Sequence, residues 1–389
     1  MIESFIDNDL YKLTMQYAIE LLYPNAWAKY KLFMRRPVVF PDGFDAKLRS
    51  IIEKFAGTQI LLEEQRKFIR EKCYYLPDSY LDILDSYRYD PRLVHIEQKD
   101  GNLSVTVAGP WRKAIMWEVP LMAAISELYF ELAARIINSE YLRGKENIAK
   151  AVELGSRAQF IDFGTRRRFS SENHRQVIET MKDHAGPNFK GTSNLHFGME
   201  FNLPVHGTHA HEWFQYHGAV FGVEYANHLA LDAWTKVYNG SLGVALTDTY
   251  TTPVFLKQFD IRLAKLFDGV RQDSGDPIEF MEKMIAHYEK LHIDPKSKTI
   301  VFSDQINLNK MVAIESHRKD RIKSLYGIGT NLTNDVGTTP LNMVIKLVRV
   351  SANGDPNDYV RTVKLSDDTG KETGDVGKVD LVKRTLGLI

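Results

Sequence analysis

A chain of 389 residues with one cysteine, Cys73, can form neither an intramolecular disulfide nor a multi-thiolate metal site, and that composition fits a reducing compartment. Net charge is missing too: 50 Lys and Arg balance 50 Asp and Glu, so no global field draws the protein to nucleic acid or an acidic membrane surface. The opening Met-Ile-Glu-Ser-Phe-Ile-Asp has no basic region followed by an apolar core, so no signal peptide is expected. The most apolar run, Trp117 to Ile137, is broken by Glu118, Glu127, Glu131 and Arg135, too many charges for a bilayer span. There is no low-complexity tract and no linker rich in Pro, Gly or Ser. These absences predict a soluble, cytoplasmic protein acting on a small molecule, with 44% hydrophobic residues to fill one large domain or two moderate ones.

The first third mixes helix and strand without a repeat. Apolar residues recur at helical spacing from Asp7 to Leu22, with Asp7 or Asp9 placed to cap the first turn. A strand is expected over Lys29–Phe40, helices around Phe44–Phe55 and Leu62–Lys72, and a hairpin over Leu93–Ala108 with Asp100-Gly101 at its tip. Pro120 suits the first turn of a long helix running towards Ile137. After about residue 155 short apolar runs alternate with helical ones. The runs end in polar tips at Phe160–Gly164, Phe189–Ser193, Val205–His209, Val244–Asp248, Val270–Ser274, Ile300–Asp304 and Leu325–Gly329. Seven β-then-α units predict a parallel barrel or a large doubly wound sheet, and in a barrel these tips converge on one face. Two further strand-like runs, Asn342–Val350 and Tyr359–Leu365, have no place in a tight barrel and are expected to return to the N-terminal part. The divisions expected are 1–140, 141–340 and 341–389.

Three imidazoles lie within six positions in His206-Gly-Thr-His209-Ala-His211-Glu-Trp213. If the segment is extended, His209 and His211 share a face and hence a pocket. Ordinary half-buried histidines, a zinc pair and a nucleophile that is neutral near pH 7 are all compatible with that pattern. Asp162-Phe-Gly-Thr-Arg-Arg-Arg168 puts three arginines after a glycine turn, where a helix start would oppose them and an anion would explain them. In Arg271-Gln-Asp-Ser-Gly-Asp-Pro277 the last two residues open a helix, leaving Arg271 and Asp273 for a planar anion, ribose hydroxyls or magnesium. Gly327-Ile-Gly329-Thr330 is a plain turn or a phosphate cradle. Ser366-Asp-Asp-Thr-Gly370 reads as a turn in the tail.

Taken in order, these motifs resemble those of nicotinate phosphoribosyltransferases. The matching stretches are Asp7–Met15, Gly109–Arg112 with Trp117–Pro120, Asp162–Phe169, Gly191–Asn194, Gly207–Trp213, Leu246–Asp248, Arg271–Pro277, Phe302–Asp304 and Gly327–Asp335. The resemblance implies an irregular α/β barrel beside an open-faced α/β sandwich built from both chain ends. It implies transfer of the phosphoribosyl group from phosphoribosyl diphosphate to nicotinate, the first step of NAD salvage, coupled to ATP hydrolysis through a transient phosphohistidine at His211. Arg271 and Asp273 would join His211 at the reacting centre. Tyr11 and Phe163 would sandwich the pyridine, with Gly191, Thr192 and Ser193 at its edge; Ser193 stands where similar nicotinamide-using enzymes carry an acidic residue, which implies use of the acid. Arg166 would lie among phosphates, and Asp248, Asp273 and Asp304 near ribose, diphosphate and Mg2+, the metal falling on Asp248 and Asp273; Ser274, Gly275 and Ser303 would also bind substrate. Gly327, Gly329 and Thr330 would hold the 5′-phosphate. Arg35, Lys346 and Lys364 would reach the diphosphate from a second subunit of a homodimer with shared sites, in which Tyr11 covers the neighbour's pyridine. The alternatives are a nicotinamide phosphoribosyltransferase, a zinc-dependent barrel hydrolase using His206, His209 and His211, and a non-catalytic nucleotide sensor.

Overall fold

A computed structural model describes residues 1–133, 140–368 and 370–389. Its strands are β1 (Trp27–Met34), β2 (Val94–Lys99), β3 (Asn102–Pro110), β4 (Phe160–Asp162), β5 (Phe189–Thr192), β6 (Val244–Leu246), β7 (Gly269–Gln272), β8 (Thr299–Phe302), β9 (Lys323–Ile328), β10 (Met343–Ser351) and β11 (Val360–Arg361). Five of them form an antiparallel sheet in the order β11-β10-β1-β3-β2, so both ends of the chain contribute to one layer. β1 and β3 alternate buried and less buried residues, with Ala28, Tyr30, Leu32, Leu103, Val105 and Val107 turned inward, as a half-covered sheet requires. Asp100 and Gly101, both with positive φ, make the two-residue hairpin turn that their sequence predicts.

The other sheet is parallel throughout, in the order β5-β4-β9-β8-β7-β6. β4 lies between β5 and β9, its next and last partners in the chain, which is the neighbour order of a ring. Its residues are buried on both faces, which explains runs that are apolar without alternation. The predicted unit at Val205 is not a strand but a single bridge to Thr192. Pro204 offers only its carbonyl, to Thr192 N–H at 3.2 Å, and beyond His206 side chains seal the ring. Thr208 donates its hydroxyl to Val244 O at 3.1 Å and Leu246 N–H donates to His209 Nε2 at 3.2 Å. The fold is therefore an irregular α/β barrel with six strands and one bridge, beside an open-faced sheet drawn from both chain ends.

Several local expectations are corrected. The helix from Pro120 runs Glu118–Ala133, and the stretch to Ile137 lies outside the described residues. The strand expected over Tyr359–Leu365 is broken: it pairs with β10 at Val360–Arg361, Thr362 turns its hydroxyl back to Leu347 O at 2.7 Å, and Lys364 then makes an isolated antiparallel bridge to Thr373. Asp9 stands at the N-cap of the first helix, Leu10–Leu22, but its side chain makes no capping bond and accepts the Ser193 hydroxyl instead, while Asp7 is held by Arg168.

That last contact is a two-pronged ion pair, Nη1 to Oδ1 at 2.9 Å and Nη2 to Oδ2 at 2.7 Å, between side chains with no solvent exposure. Asn194 and the Glu3 N–H also donate to the carboxylate, and Arg168 donates to Met1 O, which fastens the first nine residues to the barrel. Burial pushes the Asp7 carboxyl up, but Arg168 outweighs it and holds the group well below the usual range. Asp7→Asn should lower the unfolding free energy by about 3–5 kcal/mol in urea titrations at pH 7, since it leaves a buried guanidinium unpaired. A depressed carboxyl stabilises above its unfolded pKa and loses that contribution as pH falls towards the folded one, so the gap between variant and parent should begin to close only below about pH 4 and narrow steadily with further acidification.

Candidate active site

Both ends of the chain and the barrel tips enclose a cavity of ≈ 970 Å³. His211 is the first residue of the helix His211–Phe221, so its backbone sits at a strand-to-helix corner and its ring faces the cavity. Nδ1 lies 3.0 Å from Thr249 Oγ1; Nε2 lies 3.1 Å from Asp273 Oδ2 and 2.9 Å from Lys364 Nζ. Burial and the Lys364 ammonium lower the pKa of His211 against the opposing pull of Asp248 and Asp273, so the ring is neutral near pH 7 and keeps a nitrogen lone pair.

All three imidazoles border this cavity, but they do not gather at one point. His206 Nε2 is bonded to Lys190 O at 2.8 Å. His209 is buried edge-on to Phe214 and Trp234, accepts Leu246 N–H, and is pushed down to about 3 by burial and by Arg271. Only His211 joins carboxylates, Asp248 and Asp273, and each of the three residues offers a ligand atom within 4.8 Å of the others. The zinc hydrolase reading on three histidines is overturned, because the segment turns into a helix at His211 rather than staying extended.

The three arginines separate as well. Thr165–Arg167 is a short 3₁₀ turn and the following helix starts at Ser171, capped by the Ser170 hydroxyl, so no macrodipole opposes them. Arg168 is consumed by Asp7, Arg166 reaches Glu118 Oε1 at 3.2 Å, and Arg167 lines the cavity. Burial, with Arg166 and Arg35 nearby, pushes the Arg167 guanidinium down to about 10. An uncompensated guanidinium at a cavity wall calls for an anion.

Arg271 Nη2 and Ser303 Oγ both donate to Asp273 Oδ1, at 2.7 and 2.9 Å, and the guanidinium carbon stands 5.7 Å from the centre of the Phe163 ring. Phe163 lies on bare backbone: a Cβ at Gly327 would sit 2.3 Å from its ring. Gly327 thus supports an aromatic ring while still lining the cavity with Gly329 and Thr330. Tyr11, Ser193 and Asp304 line it too. Asp248 lies beneath, with Ser274 donating to Oδ2 at 2.6 Å and Lys364 3.2 Å away. Gly191, Thr192, Ser274 and Gly275 are behind the wall. Gly191 passes against Pro204 O, Thr192 donates to Asp162, and Gly275 N–H donates to Asp368.

Arg35, Lys346 and Lys364, expected from a second subunit, line the same chain's cavity, as does Tyr11. β1, which ends next to Arg35, and β10, which carries Lys346, are neighbours in the antiparallel sheet. Lys346 points to Thr373 Oγ1 at 3.3 Å, and burial with Arg35, Lys364 and Lys371 around it pushes its ammonium down to about 7.

Sequence reasoning missed the tail. Lys371 lines the cavity 3.1 Å from Asp304 Oδ1. The turn at Ser366 is clamped to the barrel, Asp367 accepting Thr252 N–H at 2.7 Å and Asp368 accepting Gly275 N–H at 3.1 Å. Lys12, Glu118 and Glu212, a buried ammonium between two carboxylates, were also missed; each sits beside a recognised residue, but only folding brings them together.

The model of the nicotinate phosphoribosyltransferase (NAPRTase) family matches residues 158–388, and that of its N-terminal domain matches residues 6–126. The chain is 47% identical over 377 residues to the nicotinate phosphoribosyltransferase of Desulforapulum autotrophicum, covering 96% of both proteins. It is 40% identical over 397 residues to that of Methanosarcina acetivorans, again 96% of each. The crystal structure of nicotinate phosphoribosyltransferase from Porphyromonas gingivalis superposes with a TM-score of 0.96 at 40% identity over 100% of both chains. Among the described residues no helix is long and apolar enough to cross a membrane. An aromatic slot, a poised imidazole and a cation row in one barrel mouth thus accompany matches along almost the whole length: the chain belongs to the nicotinate phosphoribosyltransferase family.

Proposed function

We propose that this protein is a cytoplasmic enzyme that transfers the phosphoribosyl group of phosphoribosyl diphosphate to nicotinate, giving nicotinate mononucleotide and diphosphate in the first step of NAD salvage. ATP hydrolysis is coupled through a phosphoryl group carried transiently on His211. One observation carries the reading: a single cavity joins the Phe163 and Tyr11 rings, the Arg271 guanidinium and the cations Arg35, Arg166, Arg167, Lys346, Lys364 and Lys371 to a neutral His211. Similarity to the nicotinate phosphoribosyltransferase of Porphyromonas gingivalis supports the choice of base.

The pyridine nitrogen forms a bond to the anomeric carbon while the carbon–oxygen bond to diphosphate breaks and its electron pair leaves with diphosphate. Positive charge develops on the sugar, so positioning and charge stabilisation set the rate. Phe163, propped on Gly327, and Tyr11 hold the ring flat, with Arg271 facing its carboxylate. Gly327, Gly329 and Thr330 take the 5′-phosphate. Arg35, Arg166, Arg167, Lys346, Lys364 and Lys371 surround diphosphate and the phosphates of ATP. Among the described residues Asp248 Oδ1 is buried without a hydrogen-bond partner and Asp273 lies beside it, an oxygen set that suits Mg2+. Bound there, the ion would neutralise charge on the departing diphosphate, in place of the Lys364 ammonium now beside Asp248.

Incubating the protein with phosphoribosyl diphosphate and nicotinate, nicotinamide or quinolinate, with and without ATP, and identifying the products tests the reading. Nicotinate mononucleotide and diphosphate are expected, and tight binding without turnover would point instead to a sensor. His211→Asn should abolish nicotinate-dependent ATP hydrolysis and leave slow ATP-independent transfer; acid-labile label from γ-labelled ATP persisting in that variant would refute the phosphoryl acceptor.

Because Tyr11 and Arg271 line one chain's cavity, each chain should own a complete site. Tyr11→Ala and Arg271→Ala should each be nearly inactive, and mixing them should restore nothing. Recovery of about a quarter of full activity, as random C2 pairing with shared sites gives, would overturn this.

Lys346 sets a pH dependence. Its lowered pKa means that the cation is lost as pH rises through about 7, so affinity for inorganic diphosphate should fall roughly tenfold from pH 6 to pH 8 in calorimetry. Lys346→Met should bind more weakly at pH 6 and lose most of that slope.

A further inference from the structure

Ser193 is tied to both aromatic residues of the slot through backbone. Its N–H donates to Asp162 O at 2.9 Å, next to Phe163, and its carbonyl accepts Leu10 N–H at 2.8 Å, next to Tyr11. A ring held between Phe163 and Tyr11 therefore meets Ser193 at its edge. Behind the serine is a carboxyl that the slot chemistry has not used. Asp9 Oδ1 lies 2.8 Å from Ser193 Oγ, both side chains line the cavity, and they are 3% and 4% exposed.

We propose that Asp9 is a positioning residue that decides whether the slot receives the acid or the amide of the pyridine, by holding or releasing one proton behind Ser193. The inference rests on the phosphoribosyl-transfer reading. A hydroxyl has one hydrogen to give. Ionised Asp9 can only accept, so it takes the Ser193 hydrogen and turns the serine's lone pairs towards the slot, an arrangement suited to an amide N–H and hostile to a carboxylate. Protonated Asp9 donates its own O–H to Ser193, whose hydrogen is then free for the carboxylate of nicotinate. Nicotinate binding therefore draws a proton from solvent onto Asp9, and nicotinamide binding does not.

The surroundings support a proton there. Among the described residues the Asp9 carboxyl makes no ion pair, and burial raises its pKa against Arg166, Thr165 and Ser193, with Asp162 adding to the rise. Those groups and Tyr11 are the titratable and polar neighbours that face it. The sign follows: preference for the acid is greatest at low pH and declines as pH rises past the titration of Asp9.

Calorimetry of nicotinate and of nicotinamide with the full-length protein, in buffers of different ionisation enthalpy between about pH 5 and 9, tests this. Nicotinate should bind with uptake of up to about one proton per site and nicotinamide with none, and the nicotinate-to-nicotinamide ratio of kcat/KM should fall with pH, by up to about tenfold per unit. In Asp9→Asn the amide N–H donates to Ser193 at every pH, so the uptake vanishes and the ratio becomes flat. Ser193→Ala breaks the same link and serves where Asp9→Asn does not fold. Equal uptake in Asp9→Asn and the parent, or no nicotinate-specific uptake and a pH-independent ratio in the parent, would overturn the assignment of the proton. If the parent neither binds nor converts either base, the transfer reading itself falls, and this inference with it.

Discussion

The Asp7–Arg168 pair is the contact on which the geometry of the cavity depends. Two charges without solvent exposure lose their hydration on folding, and an apolar pair of similar volume would often stabilise as well. What the fork supplies is position: a guanidinium meets a carboxylate on two prongs in one arrangement. From that fixed point the chain lays Asp9 against Ser193, turns Tyr11 to the cavity and drives Lys12 between Glu118 and Glu212. Arg168 immediately follows Arg166 and Arg167, so one anchored guanidinium holds two others at the wall.

Charge in the cavity is arranged in alternation around a neutral ring. Asp248, Lys364, His211, Asp273 and Arg271 each stand within hydrogen-bond or ion-pair distance of the next. Such a chain is satisfied internally without ligand and is open to rearrangement with one, because a phosphate can take over the partners of Lys364 or Arg271 at little change in desolvation. At the mouth, Arg35, Arg167, Lys346 and Lys371 crowd together, and burial with the repulsion of neighbouring cations lowers the pKa of Arg167 and Lys346. Binding of a polyanion relieves that repulsion, and the relief adds to affinity.

Much of this was legible in the residues themselves. Polar tips at the ends of apolar runs mark a barrel mouth whatever the sheet closure, and they contain Asp273, Ser303 and Gly329, while His211 stood out through the histidine cluster and the family resemblance. Where reading failed, the deciding partner lay far along the chain. Arg168 looked like an anion ligand because Asp7 is 161 positions away. His209 looked like a metal ligand because its real partner is the edge of β6. The turn at Ser366 was discounted for sitting in the tail, yet Thr252 and Gly275 receive it. Periodicity reports which face of an element is buried, and is silent on which element covers it.

That silence has a consequence for how the site comes to exist. Tyr11 and Arg35 arrive from the first helix and β1, Arg167 from the turn after β4, Arg271 from β7, Lys346 from β10 and Lys371 from the tail. β10 can reach the cavity only by pairing with β1, more than 300 residues earlier, a register given by Trp27 opposite Ser351. Closing so long a loop costs entropy, so the cation row exists only in a chain in which β1 and β10 have paired. A partly folded chain without that pairing lacks the crowded cations that make the mouth receptive to phosphate. Affinity for the polyanion is a property of the finished fold, because the repulsion that the ligand relieves is built by joining the two ends of the chain.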